Sequence, residues 1–173
     1  MGEQMVDKNS EKNSIRVVKI TKNYMIKNIN KFLAIESNWI DIGEEPWRKE
    51  NFLFELPLKW ELSFAAEKDG LIIGYLIGSE YNKGLSRVNK IVVDLQYHRC
   101  GIGKQLINQY FAVCLKKNIK KSELKALVEN DPANRFYSKI GYLKIGEKKG
   151  TDGKMRIIYE KKLKLSETDR LSI

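Results

Sequence analysis

The sequence is poor in the residues that bind metals and cross-link chains. Its 173 residues include one histidine and two cysteines. Because a structural zinc site usually takes four such ligands, we expect no metal, and two cysteines predict no disulfide scaffold. A catalytic pair of His98 with Cys100 is disfavoured, since no third group is evident that would orient the imidazole.

Long apolar runs are also lacking. The longest, Leu71 to Ile77, is far too short to span a bilayer. Residues 1–14 are polar and of mixed charge, without the apolar segment of a signal peptide. We therefore expect a cytoplasmic protein without a membrane partner. Its one domain is predicted over 15–163, with flexible ends over 1–14 and 164–173.

Positive charge is in excess. The chain has 32 basic and 22 acidic side chains, for a formal net charge of +10. Lys116, Lys117, Lys120 and Lys121 follow a predicted helix, where cations offset the helix dipole, so solvated lysines are the simplest explanation. The same field would attract a small polyanion, and nucleic acid is not the partner we expect.

A glycine turn between a strand and a helix is the most informative feature. The apolar run Val88–Val93 predicts the strand, and the periodicity of Ile102–Leu115 predicts an amphipathic helix. Between them stands His98-Arg99-Cys100-Gly101-Ile102-Gly103-Lys104. Glycines let the backbone approach a ligand closely, and the free N–H groups at a helix start attract anions. This turn is therefore predicted to bind phosphate.

Two familiar phosphate-binding motifs do not fit the turn. A dinucleotide site needs a third glycine three residues after the second, where this chain has Leu106. A mononucleotide P-loop needs glycine at the position of His98 and Ser or Thr at that of Gln105. Neither a dinucleotide nor a nucleoside triphosphate is therefore expected as ligand.

A second motif lies downstream. The run Ser122–Val128 predicts a strand that enters the core, and Asp131 with Pro132 predicts the N-cap and first residue of a short helix. That helix carries, or is followed by, Asn134, Phe136, Tyr137 and Gly141.

Together these motifs resemble the GCN5-related N-acetyltransferase (GNAT) family, specifically over 88–142 and in element order from 15 to 163. The resemblance implies an α/β (α+β) fold with a central, mostly antiparallel mixed sheet of six to seven strands, splayed in the middle and flanked by about four helices. It also implies acetyl-coenzyme A as cofactor. The reaction it implies is direct acetyl transfer to a primary amine of a small molecule or peptide.

The resemblance also implies which residues contact the cofactor. The turn would hold the pyrophosphate, the strand before it would pair with the pantetheine arm, and Asn130 or Asn134 would add a contact. The Tyr137 hydroxyl would lie near the sulfur and protonate the departing thiolate; aromatic packing is its alternative role. The implied set is Ile91, Val92, Val93, His98, Arg99, Cys100, Gly101, Ile102, Gly103, Lys104, Asn130, Asn134 and Tyr137.

The general base does not follow the family pattern. Many members carry a glutamate on the strand before the turn, where this chain has Arg87, Val88 and Asn89. Glu129, Glu80, a water chain or no base at all remain open, because an amine that arrives neutral needs only positioning. The alternative to an enzyme is an inactive member of the fold that senses acyl-coenzyme A or binds RNA or the ribosome.

The resemblance places the amine acceptor where two early helices, predicted over Tyr24–Trp39 and Pro46–Leu56, approach the splayed strands, and we expect it to enter beside the segment Asn38–Asn51. This segment groups acids with indoles, which favours an acceptor that is cationic in solution. The alternative is that the acids stabilise a helix start and the tryptophans seal the core. Monomer and homodimer are both left open. The candidate acceptor residues are Trp39, Glu44, Glu45 and Trp47, with Asp41 in the same group.

Overall fold

The computed structural model describes residues 14–38 and 43–164, which form a seven-stranded mixed sheet in the order β1-β2-β3-β4-β5-β7-β6 with four α-helices. This confirms the fold expected from the sequence. The ends predicted to be flexible, 1–14 and 164–173, lie outside the described residues except for Ser14 and Lys164. The elements are β1 Arg16–Lys19, α1 Lys22–Asn38, α2 Lys49–Leu53, β2 Phe64–Lys68, β3 Leu71–Asn82, β4 Leu85–Val93, α3 Ile102–Lys116, β5 Lys121–Leu127, α4 Asp131–Lys139, β6 Leu143–Lys149 and β7 Met155–Lys162.

The sheet is splayed between β4 and β5. These strands pair in parallel only from Leu85↔Lys121 to Val88↔Leu124. Beyond Val88, β4 continues alongside β3 while β5 continues alongside β7, so the two strands separate. A bulge lies at this point: Gly78 pairs with Val88 and Ile77 with Lys90, which leaves Asn89 as an extra residue on β4. A bulge bends its strand, and this one coincides with the end of the β4–β5 pairing.

Two apolar cores lie on opposite faces of the sheet, because successive side chains of a strand alternate. One core packs α3 and α4 against residues such as Leu76 and Val88. The other packs α1 and α2 against Tyr75 and Val92. We call these the α3/α4 face and the α1/α2 face. No helix among the described residues has the length and apolar character needed to cross a membrane.

The second helix is shorter than the sequence predicts. Pro46–Leu56 was the expected span, but α2 covers Lys49–Leu53. At its start the backbone N–H of Arg48 donates to Asn51 Oδ1 over 2.9 Å, which caps the helix there. At its end the Nζ of the buried Lys59 donates to the carbonyls of Phe52 and Phe54, at 2.7 and 2.5 Å. Hydrogen bonds of the Asn51 and Lys59 side chains therefore mark the two limits.

The cap of α4 also differs from the prediction. Asn130, rather than Asp131, is the N-cap, and its side chain accepts from Ala133 N–H over 3.3 Å. Asp131 is the first helical residue, where a carboxylate is favourable next to the positive end of the helix dipole.

The start of α1 also differs from the prediction. This helix begins at Lys22 instead of Tyr24, because Thr21 Oγ1 accepts from Tyr24 N–H over 3.1 Å and caps it.

Candidate functional site

The glycine turn opens the N-terminus of α3 toward solvent. Gly101 is the N-cap in the left-handed region, with φ +77°, and Arg99 has φ +62°. The first helical bond runs from Gln105 N–H to Gly101 O over 3.0 Å. No side chain in the described part of the chain caps this end. The N–H groups of residues 102–104 therefore remain available to an anion.

The two glycines of the turn have different roles. A Cβ at Gly101 would meet nothing within 4 Å, so its requirement is the positive φ alone. A Cβ at Gly103 would lie 3.3 Å from Phe136 Cζ and 3.9 Å from Val93 Cγ2. Gly103 therefore brings α3 close to α4 and β4, and a larger residue there would first disturb packing within the protein.

Charged side chains of the turn are free to reach a ligand. Arg99, Cys100 and Lys104 are exposed. His98 is also exposed, but its Nε2 lies 2.9 Å from Val93 O, so this ring joins the turn to the end of β4. Arg99 and Lys104 supply two positive charges beside the open N–H groups, which favours a polyanionic ligand.

The splayed strand leads directly to this turn. Val92 is buried on the α1/α2 face, whereas Ile91 and Val93 are half-buried and pack on the α3/α4 face. After Val88 the edge of β4 toward β5 has no strand partner among residues 14–38 and 43–164. An extended ligand can pair with such an edge through its own polar groups.

Tyr137 lies on α4 within an aromatic cluster. It is 8% exposed, and its ring centroid is 5.5 Å from Phe136, 6.1 Å from Tyr142 and 5.9 Å from Tyr159. Phe136 is the residue that contacts Gly103. The cluster therefore fixes Tyr137 close to the start of α3, and the packing role and the predicted catalytic role are compatible.

Both candidate asparagines make bonds within the protein. Asn130 caps α4, as described above. Asn134 Nδ2 donates to Leu127 O and Val128 O, at 3.0 and 3.1 Å, and its Oδ1 accepts from the Tyr159 hydroxyl over 3.1 Å. Asn134 thus fixes α4 to the end of β5. A cofactor contact by either residue stays a prediction, and Asn134 Oδ1, which accepts one bond, has a second lone pair for it.

The candidate bases lie in different places. Glu80 pairs in register with Ser86, at the end of β4 away from the turn, and its Oε1 accepts from Gly84 N–H over 3.4 Å. Glu129 is exposed in the connection between β5 and α4. Of the two carboxylates, only Glu129 therefore lies at the turn's end of the sheet.

The predicted acceptor segment is tied to the β6–β7 hairpin. Glu44 Oε1 accepts from Arg156 Nε over 3.2 Å, and Lys154 Nζ donates to Gly43 O. The same Arg156 binds Asp152 over 2.7 Å and holds the pKa of that carboxyl well below its usual range. Glu44 is therefore paired with an arginine that it shares with Asp152. Glu45 is exposed, and the predicted Trp39 and Asp41 lie outside the described residues.

A buried carboxylate cluster on the α1/α2 face was missed by the sequence analysis. Glu36 on α1 is 1% exposed. Its Oε2 accepts from Trp47 N–H over 2.7 Å and lies 3.5 Å from Lys90 Nζ, and its Oε1 accepts from the Tyr75 hydroxyl. Burial, followed by the nearby Glu36 charge, raises the pKa of Tyr75. Glu36, Trp47, Tyr75 and Lys90 have no regular spacing in the sequence, so no sequence pattern predicts that they meet.

Comparison with known families agrees with this geometry. The acetyltransferase (GNAT) family matches residues 32–142, more than half of the chain. The protein therefore belongs to the GNAT acetyltransferase family, which confirms the resemblance drawn from its two motifs. No curated protein matches the chain.

Solved structures share the fold at low sequence identity. Ard1 from Thermoplasma volcanium superposes with a TM-score of 0.75 at 20% identity, covering 87% of this chain and 99% of that one. The ribosomal-protein-S18-alanine N-acetyltransferase from Escherichia coli gives 0.73 at 18%, covering 88% and 96%. PaiA N-acetyltransferase from Thermoplasma acidophilum, in complex with coenzyme A, gives 0.64 at 18%, covering 86% and 99%.

Proposed function

We propose that this protein is an acetyl-coenzyme A-dependent N-acetyltransferase that transfers acetyl directly to a primary amine of a small molecule or peptide. One observation carries the proposal: the gap between β4 and β5 ends at an open helix N-terminus. A strand edge without a partner, followed by free N–H groups, suits a ligand with an extended arm and a phosphate-bearing end. Coenzyme A has both parts.

The binding mode follows from the order of these features along the chain. The pyrophosphate would lie over residues 99–104, where N–H groups and the charges of Arg99 and Lys104 meet it. The pantetheine arm would run along Ile91–Val93 and pair with the free edge of β4. Its sulfur would then lie within the splay, away from the turn.

Tyr137 would assist the chemical step. The neutral amine nitrogen attacks the thioester carbonyl, and the tetrahedral intermediate collapses as the carbon–sulfur bond breaks. The departing thiolate takes the proton of the Tyr137 hydroxyl, and the product amide releases its extra proton to water or to Glu129. The phenolate then regains a proton from solvent, so the tyrosine is unchanged over the cycle.

An inactive acyl-coenzyme A sensor is the second candidate, and one observation favours it. At the positions where many family members carry a glutamate base, Arg87 is paired with Glu123 at 2.6 Å, Val88 is buried, and Asn89 donates to Ser79 Oγ over 2.8 Å. None of these side chains can accept the acceptor's proton. An enzyme here would depend on an amine that arrives neutral.

Thiol release from acetyl-coenzyme A, with a panel of primary amines, tests the proposal. We expect release that depends on the amine, together with an acetylated product detected by mass spectrometry. Calorimetry with coenzyme A provides the second measurement. Tight binding without release from any amine would instead support the sensor, and absence of binding would exclude both.

A further inference from the structure

Lys90 lies at the splay, on the face of the sheet opposite the phosphate-binding turn. It follows the bulge at Asn89 and precedes the segment Ile91–Val93. Its Nζ is 3.5 Å from Glu36 Oε2 and 5.9 Å from the ring centroid of Trp47, and both partners belong to the α1/α2 side. The turn, α3 and α4 occupy the other face. Lys90 therefore borders the side from which a second substrate can approach the gap.

Glu36 holds Lys90 in place without saturating it. The Glu36 carboxylate also accepts bonds from Trp47 N–H and the Tyr75 hydroxyl, so its charge is shared among three donors. The 3.5 Å separation from Lys90 is longer than the about 2.7–2.9 Å of a charge-assisted hydrogen bond. An ammonium has three donors. The Lys90 side chain is 12% exposed, so it is not sealed from solvent as Glu36 is.

We propose that Lys90 determines acceptor specificity by binding an anionic group, a carboxylate or a phosphate, that the acceptor carries near its reacting amine. Glu36 is the positioning residue that fixes the ammonium. The inference rests on the proposed function, which locates the reacting thioester beside Ile91–Val93. A lysine adjoining that segment would contact the part of the acceptor next to the amine.

The charges on this face oppose a polycationic acceptor. Glu36 is engaged by Lys90, and Glu44 by Arg156. The second ammonium of a polycationic acceptor would therefore approach Lys90, whose like charge repels it. The carboxylates of Glu36 and Glu44 already have cationic partners. This gives the opposite order of preference from the cationic acceptor that the sequence suggests, so one panel of amines separates the two ideas.

Pairs of amines that differ in charge provide the test. The probes are β-alanine with β-alaninamide, and O-phosphoethanolamine with ethanolamine, with spermidine as the polycation. Thiol release measures turnover, and chemical-shift titration of the protein saturated with coenzyme A measures binding without turnover. In the wild type we expect the anionic member of at least one pair to bind and react about tenfold better or more, the effect of one charge-assisted hydrogen bond.

Substitution of Lys90 should abolish this preference. Lys90→Met is expected to bring the two members of the pair to equal affinity, with coenzyme A affinity unchanged, and Lys90→Arg to restore part of the preference. Because Lys90→Met leaves the buried Glu36 without its cation, Glu36→Gln/Lys90→Met is the second variant. Glutamine can still accept from Trp47 N–H and donate to the Tyr75 hydroxyl. Lys148→Met, on an exposed position of β6, is the matched control.

The outcomes separate the inference from the proposed function. Equal binding of charged and neutral probes by the wild type overturns the inference, whether or not turnover occurs. An equal loss of affinity for all amines in Lys90→Met and in Glu36→Gln/Lys90→Met also overturns it, since loss of a structural ion pair has that effect. No thiol release with any amine, while the binding preference for the anion persists and is lost in Lys90→Met, contradicts the proposed function but leaves anion binding by Lys90 established.

Discussion

The two faces of the sheet build their parts of the candidate site from different material. On the α3/α4 face the site is largely backbone: the open N–H groups of residues 102–104 and the free edge of β4. On the α1/α2 face it is made of side chains from separate elements, namely Glu36, Trp47, Tyr75 and Lys90. Backbone groups survive most substitutions, whereas a side-chain cluster changes with each of its members. Under the proposed function, the cofactor would lie on the backbone-built face and a selective acceptor site on the other.

Tyr137→Phe is the change with the largest expected effect on turnover. Only the hydroxyl is lost, so the aromatic cluster and coenzyme A affinity should persist while the rate falls about a hundredfold or more, the usual contribution of general acid catalysis. Single-turnover kinetics would measure it. Tyr81→Phe, at a half-exposed position on β3, is the control. Full activity of Tyr137→Phe under conditions where chemistry limits the rate would assign the residue to packing alone.

Gly101→Ala should weaken coenzyme A binding about tenfold or more, because the added Cβ would occupy open space at the turn where we place the pyrophosphate. Gly84→Ala is a matched control: the two glycines have φ +77° and +78°, and neither added Cβ meets an atom within 4 Å. Both variants should lose about 1 kcal/mol of stability from backbone strain. If calorimetry finds equal coenzyme A affinity in the two variants, the assignment of the pyrophosphate to this turn is wrong.

This division also explains what the sequence could predict. Gly101 and Gly103 mark the turn because a local backbone shape needs them within a few residues, and the same holds for the strand and helix around them. The limits of α2 depend on hydrogen bonds of the Asn51 and Lys59 side chains, which the apolar periodicity does not show. The contacts of Lys90 with Glu36 and Trp47 arise only when three elements pack together. Local signals therefore predict the candidate cofactor turn, whereas the proposed acceptor side depends on tertiary contacts.

A smaller effect is expected from Glu44→Gln. If Glu44 serves mainly to tie its segment to Arg156, the variant should lose about 0.2–1 kcal/mol of stability, as for a half-exposed ion pair. Thermal denaturation of the two single variants and the double variant with Arg156→Gln measures the coupling energy between Glu44 and Arg156. Glu45→Gln, at an exposed neighbouring position, should show none. Zero coupling between Glu44 and Arg156, together with a raised acceptor KM in Glu44→Gln, would instead support a role for Glu44 in acceptor binding.

The smallest effect is expected from the cysteines. Direct transfer needs no protein thiol, so Cys100→Ala should keep its activity. Burial raises the pKa of Cys114 to about 11, so at pH 8 a thiol reagent should modify the exposed Cys100 and spare Cys114. Loss of activity in a folded Cys100→Ala variant, with an acetylated thiol in the wild type, would demonstrate a covalent route instead.

Titration of the ¹⁵N-labelled protein with coenzyme A tests the central claim most directly. The backbone amides of Ile102, Gly103 and Lys104 should shift together with those of Ile91–Val93, since the account places the pyrophosphate on the first group and the pantetheine arm on the second. Amides near the lysines of 116–121, beyond the other end of the helix, should stay unchanged. Saturable shifts confined to that lysine-rich end, with residues 91–104 unaffected, would contradict the account.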